Sequence, residues 1–487
     1  MFIGIDIGTS EVKVLLLNDQ HQVLGSAGTA LTVIRPHPGH SEQAPHDWWS
    51  ATQSALAQLR ASFPQEYAAT RGIGLSGQMH GAVLLDAQNQ VLRPAILWND
   101  TRSALECTEM MAELPALTDL AGSLAMPGFT APKLRWVAKH EPAIFSQVAK
   151  VLLPKDYVRL MLTGENITDM SDASGTLWLD VQKRAWSDEL QALTGLTQAH
   201  MPRLVEGSEP GGYLKADVAQ ALGLATGIVV AGGAGDNAAS AVGMGAVDTG
   251  QGFLSLGTSG VLFVVTPSYQ PNAASATHAF CHALPGRWHQ MSVMLSAASS
   301  LQWATDLLGV PNAGELASKA AALSLAERAA APLFLPYLGG ERTPHNDANV
   351  RGSFHHLSFD TDAARLGYAV IEGVTFGLKD GLAALNAAGS SVSRLSLVGG
   401  GARSAFWAQQ LASALNVEIV THGSSTVGGA LGAARLAWLA TGAPVSTVCL
   451  SPAVEATYRP DPAEQAELLK RYATFRSLYG AAPSTQA

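Results

Sequence analysis

Cysteine is scarce in this chain: Cys107, Cys281 and Cys449 are the only three in 487 residues, far apart and with no Cys-x-x-Cys pair. That excludes a cysteine-built zinc site, fits a reducing compartment and leaves buried packing as the expected role of each. Long apolar runs are absent too, each being broken by Gly, Ser or a charge before about 18 residues, so no membrane span is expected. The N-terminus has no basic region and Asp6 interrupts its first apolar segment, so the expectation is no cleaved leader, a mature start near Met1 and the cytoplasm as compartment. There is no Lys/Arg run and the formal net charge is −9, which argues against general nucleic-acid affinity while leaving room for a small, locally recognised anion. Low-complexity segments and short-period repeats are missing as well.

What remains is a long globular chain, 47% hydrophobic and 14% charged. It is too long for one ordinary core, and two domains of roughly 240 residues each are expected. The triplet Gly-Thr-Ser occurs at Gly8–Ser10 and again at Gly257–Ser259, about half the chain apart. Each copy follows an apolar run and precedes a β-branched one, which reads as a strand-turn-strand hairpin. Such a turn aims backbone N–H groups and two hydroxyls at one point, where a phosphate chain fits. One hairpin per half predicts two like domains gripping a nucleotide.

The layout supports that pairing. Phe2 to about Leu85 reads as strand, hairpin partner, third strand, a Trp-rich helix start and another strand at residues 72–77. Residues 103–225 read as mostly helical insertions able to wall a pocket. Gly227–Gly245 reads as a buried strand, a glycine loop and a helix opening after Asp236-Asn237, with the boundary between halves near Val247–Gly252. The second half repeats the pattern: hairpin, Ala-rich helical stretch (Leu316–Ala331), long helix, strand into glycines and closing helices. Residues 443–462 and 481–487 read as turn and linker.

Asp6 lies two residues before the first triplet, facing whatever anion the turn holds; magnesium, direct or through water, would reconcile carboxylate and phosphate, and a turn-capping role is the alternative. Lys13 on the return strand suits a transferring phosphoryl group or is simply solvated. Asp236 follows Gly232, Gly233 and Gly235, which leave room for a substrate; it is the candidate base, with helix N-capping as the competing reading. Asn237 beside it can hydrogen-bond the acceptor. Gln78, Met79 and His80, bracketed by Gly77 and Gly81 at a strand exit, suit a polyol. Trp98 offers a sugar an aromatic plane or belongs to a core. Gly399–Gly401, Ala402 and Arg403 follow a strand and let a flat ring or ribose approach the backbone. They match neither the P-loop nor the dinucleotide spacing.

In this order the segments resemble the FGGY family of carbohydrate kinases, over nearly the whole chain. Gly128–Val137, Trp98–Asp100, Leu152–Asp156, Ser171–Gly175 and Gly340–His345 carry the likeness, and Ser76–Gly81 resembles the members acting on D-xylulose. The resemblance implies an α/β fold of two ribonuclease H-like (actin/hexokinase-type) domains with an interdomain cleft: residues 1–246 for sugar and phosphate, 247–487 for ATP and adenosine. It implies ATP and Mg2+ as cofactors and D-xylulose, phosphorylated at its terminal hydroxyl, as substrate. Asp236 is then the proton acceptor and Asp6 the magnesium-ordering carboxylate. Met79 and His80 contact sugar; Gly8, Thr9, Ser10, Gly257, Thr258 and Ser259 hold phosphates; and Gly400, Gly401 and Ala402 lie along adenosine. A homodimer comes with the resemblance as an expectation, since the residues themselves set no oligomeric state. Kinases for ribulose, another ketose or glycerol are the near alternatives, and a sugar-independent actin-like ATPase the distant one. One departure stands out: His356 replaces a usual glycine, so it must accept a positive φ or the loop must shift.

Overall fold

Alternation along the first strand decides which way the first half faces. In Phe2–Ile7 (β1), Ile3, Ile5 and Ile7 point into a core shared with Trp48 and Leu56 of helix Pro45–Ser62 (α1), so Phe2, Gly4 and Asp6 lie on the opposite face. The computed structural model, which describes residues 1–423 and 428–481, pairs β1 antiparallel with Glu11–Leu17 (β2), which pairs with Val23–Ala30 (β3). On its other side β1 runs parallel to Gly72–Gly77 (β4). Pro210–Tyr213 (β5) and Val229–Ala231 (β6) complete the order β5-β6-β4-β1-β2-β3, with Ala234–Gly235 (β7) also parallel to β4.

The second sheet repeats this plan. Gly252–Leu256 (β8), Gly260–Thr266 (β9), His278–Cys281 (β10), Trp288–Met294 (β11), Arg394–Val398 (β12), Glu418–His422 (β13) and Val454–Tyr458 (β14) stand in the order β10-β11-β9-β8-β12-β13-β14. From β3 to β5 the pairings run antiparallel, antiparallel, parallel, parallel, antiparallel, and from β11 to β14 they run the same way. Residues 454–458, read from sequence as linker, are therefore the closing strand of this sheet. The Ala-rich stretch is two helices, Ala313–Ala321 and Leu325–Ala329, because Ser324 and Glu327 form a capping box between them. The tail splits at the limit of description: helix Pro462–Ala481 is seen, and residues 482–487 lie outside the described residues.

Between β4 and β6 the insertion supplies helices Pro154–Thr163 (α2) and Met170–Ser174 (α3). Helix Asp236–Met244 (α4) follows β7, Ala298–Leu307 (α5) follows β11, and Ala363–Ala387 (α6) backs the second sheet. Helix Gly429–Ala440 (α7) belongs to the second half by sequence but lies on the first sheet. A Cβ on Gly4 would stand 1.9 Å from the Ala430 carbonyl oxygen and one on Gly74 1.8 Å from that of Ala433, so only bare backbone permits this approach. In return Ala241 and Met244 of α4 pack with Phe253 and Phe263 of the second sheet, and the two crossing helices touch where Gly432 meets the Ala239 carbonyl. His356 adopts φ 64°, taking up the left-handed conformation itself. The three cysteines are buried and free. No helix among the described residues is long and apolar enough to cross a membrane.

Candidate functional site

Parallel register brings the site together. Asp6 of β1 lies level with Ser76 of β4, and Ser76 with Ala234 of β7; one residue on, Ile7, Gly77 and Gly235 form the next row. Gly8, Gln78 and Asp236 thus leave the sheet side by side at the carboxyl ends of three parallel strands, where open α/β sheets hold ligands. Asp6 accepts a hydrogen bond from Ser76 Oγ at 2.9 Å and stands opposite Lys13 on β2. Burial raises its pKa, and Ser76 and Lys13 work against that rise. The first residue of α7 closes over it: a Cβ on Gly429 would lie 2.7 Å from Asp6 Oδ1.

The first Gly-Thr-Ser turn is held from beneath by amide side chains. Gln78 Nε2 donates to the Gly8 carbonyl at 3.3 Å, and Gln43 Nε2 donates to the Thr9 carbonyl at 2.8 Å. In a planar trans peptide the next N–H points the opposite way, so fixing these two carbonyls inward turns the Thr9 and Ser10 N–H groups outward. The Thr9 hydroxyl donates to Gln78 Oε1 at 3.0 Å and accepts from Trp98 Nε1 at 3.0 Å; Gln43 Oε1 accepts from Gln78 Nε2 and from Trp48 Nε1, both at 3.0 Å. Gln78 is only 3% exposed, with both ends of its amide engaged in this lattice. Gln78, expected to contact sugar, has its amide taken up beneath the first Gly-Thr-Ser turn. Gln43 carried no sequence signal beyond sitting before a helix.

The second turn achieves the same orientation by other means. Ala298 N–H, at the start of α5, donates to the Gly257 carbonyl at 2.8 Å; the preceding Ala297 N–H and the Ser299 hydroxyl donate to the Thr258 carbonyl at 2.9 and 2.7 Å. Thr258 and Ser259 N–H groups again face away. β12, the counterpart of β4, runs into Gly399 at φ 92°, whose Cβ would lie 2.7 Å from the Leu256 carbonyl oxygen. Gly400 and Ala402 line a groove of about 700 Å³ with Arg403, His422 and Glu455, a volume in the range of small-ligand sites. Gly401 is buried against Leu256, so it shapes the loop from inside.

Asp236 is the first residue of α4. Gly235 occupies the cap position without a side-chain bond, which sets aside the N-cap reading. Its Oδ1 accepts from Asn237 N–H at 2.7 Å and Asn237 Nδ2 at 2.9 Å, and Oδ2 has no protein donor among the described residues. Burial, then the negative charge of Asp6, pushes its pKa up to about 7. Met79 packs on the adjoining Gly235, 2.8 Å from where a Cβ would be. His80, at φ 71°, stacks on Phe129 with ring centroids 4.3 Å apart, and its Nδ1 lies 2.7 Å from the Gly175 carbonyl. Nδ1 must donate there, which leaves Nε2 an acceptor, and burial lowers the pKa to about 3 so the ring stays neutral. Trp98 is 46% exposed, its face open beside the turn.

Asp6, Gly8, Thr9, Gln78 and Asp236 therefore sit on or beside one row of strand ends. Among the described residues no group of three or more His, Cys, Asp or Glu could hold a metal unaided. Asp6 fits the one-carboxylate pattern in which magnesium takes its remaining ligands from phosphate and water. A carboxylate poised near pH 7, beside turns offering outward amides, suits phosphoryl transfer to an alcohol.

Known proteins agree with this geometry. The FGGY carbohydrate-kinase N-terminal domain matches residues 1–243 and the C-terminal domain residues 252–441. A curated xylulose kinase of Escherichia coli (strain K12) is 51% identical over 482 residues, 98% of each chain. The crystal structure of a "xyloylose kinase" from Brucella ovis superposes with a TM-score of 0.96 at 51% identity, covering 99% of both chains. A xylulose kinase structure from Rhodospirillum rubrum gives 0.92 at 29%, covering 99% of this chain and 98% of that one. Two repeated sheets, a phosphate-type turn on each and matches spanning both halves lead to one assignment: the chain belongs to the FGGY family of carbohydrate kinases, with their two-domain actin/hexokinase-type fold.

Proposed function

We propose that this kinase transfers the γ-phosphoryl group of ATP to the terminal hydroxyl of D-xylulose, giving D-xylulose 5-phosphate and ADP, with Asp236 as proton acceptor. The observation that carries this reading is the shared row of strand ends, which sets Asp236, with no donor to Oδ2 among the described residues, beside Asp6 and the first turn. The sugar is taken from the relatives that share half of the sequence. Residues 1–246 hold the sugar and 247–487 the adenosine, and closure about the segment near Val247 brings them together.

The terminal hydroxyl gives its proton to Asp236 Oδ2 as its oxygen attacks the γ-phosphorus; the bond from that phosphorus to the bridging oxygen breaks, and ADP departs. Outward N–H groups of Thr9, Ser10, Thr258 and Ser259 hold the phosphates, and Lys13 steadies the group in flight. Asp6 and the phosphates would hold magnesium, which would supply charge neutralisation. His80 Nε2 accepts from a sugar hydroxyl, Asn237 orients the acceptor, Met79 and the Trp98 face border it, and the ring of adenine lies along Gly400 and Ala402. Closure excludes water that would otherwise take the phosphoryl group.

The test is a panel of pentuloses and polyols with ADP detection, run on the parent and on Asp236→Ala. Turnover with D-xylulose well above ribulose and glycerol, lost in the variant with ATP binding retained, is the expected result. A preference for another sugar would reject the substrate, and retained turnover in Asp236→Ala would reject the base.

A further inference from the structure

The loop that presents Asp236 cannot position itself. Residues 232–235 are Gly-Gly-Ala-Gly, with Gly233 at φ 76°, so apart from the buried Ala234 methyl and the pairing of β7 with β4 the segment is held through its backbone groups. Gly232 and Gly233 N–H donate to the carbonyls of Glu209 and Gly207 at 2.8 and 3.0 Å, and the Arg159 guanidinium donates to the Gly232 carbonyl. At the end next to Asp236, where Met79 packs on Gly235, the Gly235 N–H donates to Ser171 Oγ at 3.2 Å.

Ser171 is itself clamped. Its hydroxyl donates to Asp169 Oδ2 at 2.5 Å, and Asp169 Oδ1 lies 2.8 Å from Lys155 Nζ. Lys155 also meets Asp156 at 2.7 Å and Asp172 at 3.0 Å, and Arg159 meets Asp156 at 2.7 Å; all five charged side chains are fully buried. Burial pushes the Asp172 carboxyl well above the usual carboxylate range, against the pull of the Lys155 ammonium. Buried ion clusters are weak sources of stability, because desolvation offsets their attraction. Holding a hydroxyl at a fixed point is a use that stability does not explain.

The short helix α3 carries this fixed point to two other places. Ser174 Oγ accepts from Cys281 N–H of the second sheet at 3.1 Å, and the carbonyl of Gly175, the residue after the helix, accepts a hydrogen bond from His80 Nδ1. One rigid segment, Asp169–Gly175, thus touches the base loop, the sugar-side imidazole and the other lobe.

We propose that Ser171, clamped by Asp169 and the buried Lys155, is a positioning residue that fixes Asp236 relative to His80 for attack by the sugar hydroxyl. The proposal rests on the reading of Asp236 as base, so the experiment separates the two. Ser171→Ala, Ser171→Cys, Asp236→Asn and the double variant Ser171→Ala/Asp236→Asn are compared for sugar-dependent ADP formation, KM for each substrate and thermal midpoint. Ser171→Ala is expected to lower kcat by roughly 10- to 100-fold, as misplacing a reacting group does, with the ATP KM within about twofold, and Ser171→Cys to fall between it and the parent. In the Asp236→Asn background Ser171→Ala is expected to cost nothing further, since there is no base left to misplace. A multiplied loss in the double variant, or a folded Ser171→Ala or Ser171→Cys enzyme with parental kcat, would overturn the proposal; full activity in Asp236→Asn would overturn the base reading instead.

Discussion

The two lobes fold alike and hold the same kind of turn differently. In the first, the carbonyls of Gly8 and Thr9 are pinned by buried glutamine side chains; in the second, those of Gly257 and Thr258 are pinned largely by backbone N–H groups at the start of α5. The crossing helices differ in a matching way. α4 opens on Asp236 and α7 on Gly429, so one lobe places a carboxylate where the other leaves room for Asp6. The first sheet receives its helix on glycine and the second on Phe253 and Phe263. On the proposed reading, side chains at equivalent points divide a repeated fold into a half for acid–base chemistry and a half for nucleotide.

That asymmetry is open to attack by substitution, starting with the largest effect. Asp236→Ala has no counterpart to compensate it and should lower sugar-dependent kcat by about 10³-fold or more, with ATP affinity, read by titration calorimetry, changed by no more than a few-fold. Gly74→Ala puts a Cβ into the Ala433 carbonyl and should cost about 3 kcal/mol in denaturant unfolding, the upper range of overpacking; β12 has no glycine within it, and nothing of this kind is expected there. Gln43→Leu should raise the ATP KM about tenfold, since it frees the Thr9 carbonyl and leaves the Trp48 N–H unpaired. Its opposite number, Ser299→Ala, should change KM by less than about twofold, because Ala297 N–H still holds the Thr258 carbonyl. Equal effects of these two would dissolve the distinction between side-chain and backbone support.

Acidity sharpens the same contrast. With its pKa raised to about 7, Asp236 is half ionised at neutrality, and log kcat should climb as pH rises to about 7 and then level. Stability runs the other way: a carboxyl whose folded pKa lies above its unfolded value of about 3.9 costs stability as pH rises from there to about 7, and the cost stays in full above that. Asp236→Asn should therefore raise the melting temperature at pH 8 by roughly 2 °C or more and leave it little changed at pH 4.

Much of this was legible in the chain. Both hairpins announce themselves through apolar runs ending in Gly-Thr-Ser, and Asp6 and Asp236 stand at strand ends because alternation and glycine loops are local signals. What stayed hidden depends on distance in sequence. Gln78 looks like a sugar ligand until Thr9 and Gln43, 69 and 35 residues away, are brought against it. Lys155, Asp169 and Ser171 sit in a helical insertion whose periodicity says nothing about what lies behind Gly235. Gly4 and Gly74 read as weak strand residues, and only the return of α7 gives them a purpose. Residues 454–458 look like linker because none of the five side chains of this edge strand is buried, so it carries no alternating apolar face.

The central claim is that closure puts the Asp236 carboxylate against the sugar hydroxyl, in line with the terminal phosphorus. A crystal structure with D-xylulose and a non-hydrolysable ATP analogue measures this directly. The account predicts Asp236 Oδ2 within about 3.2 Å of the terminal sugar oxygen, with that oxygen facing the γ-phosphorus between the two Gly-Thr-Ser turns; a sugar bound with its terminal hydroxyl turned away from Asp236 in the closed complex would contradict it.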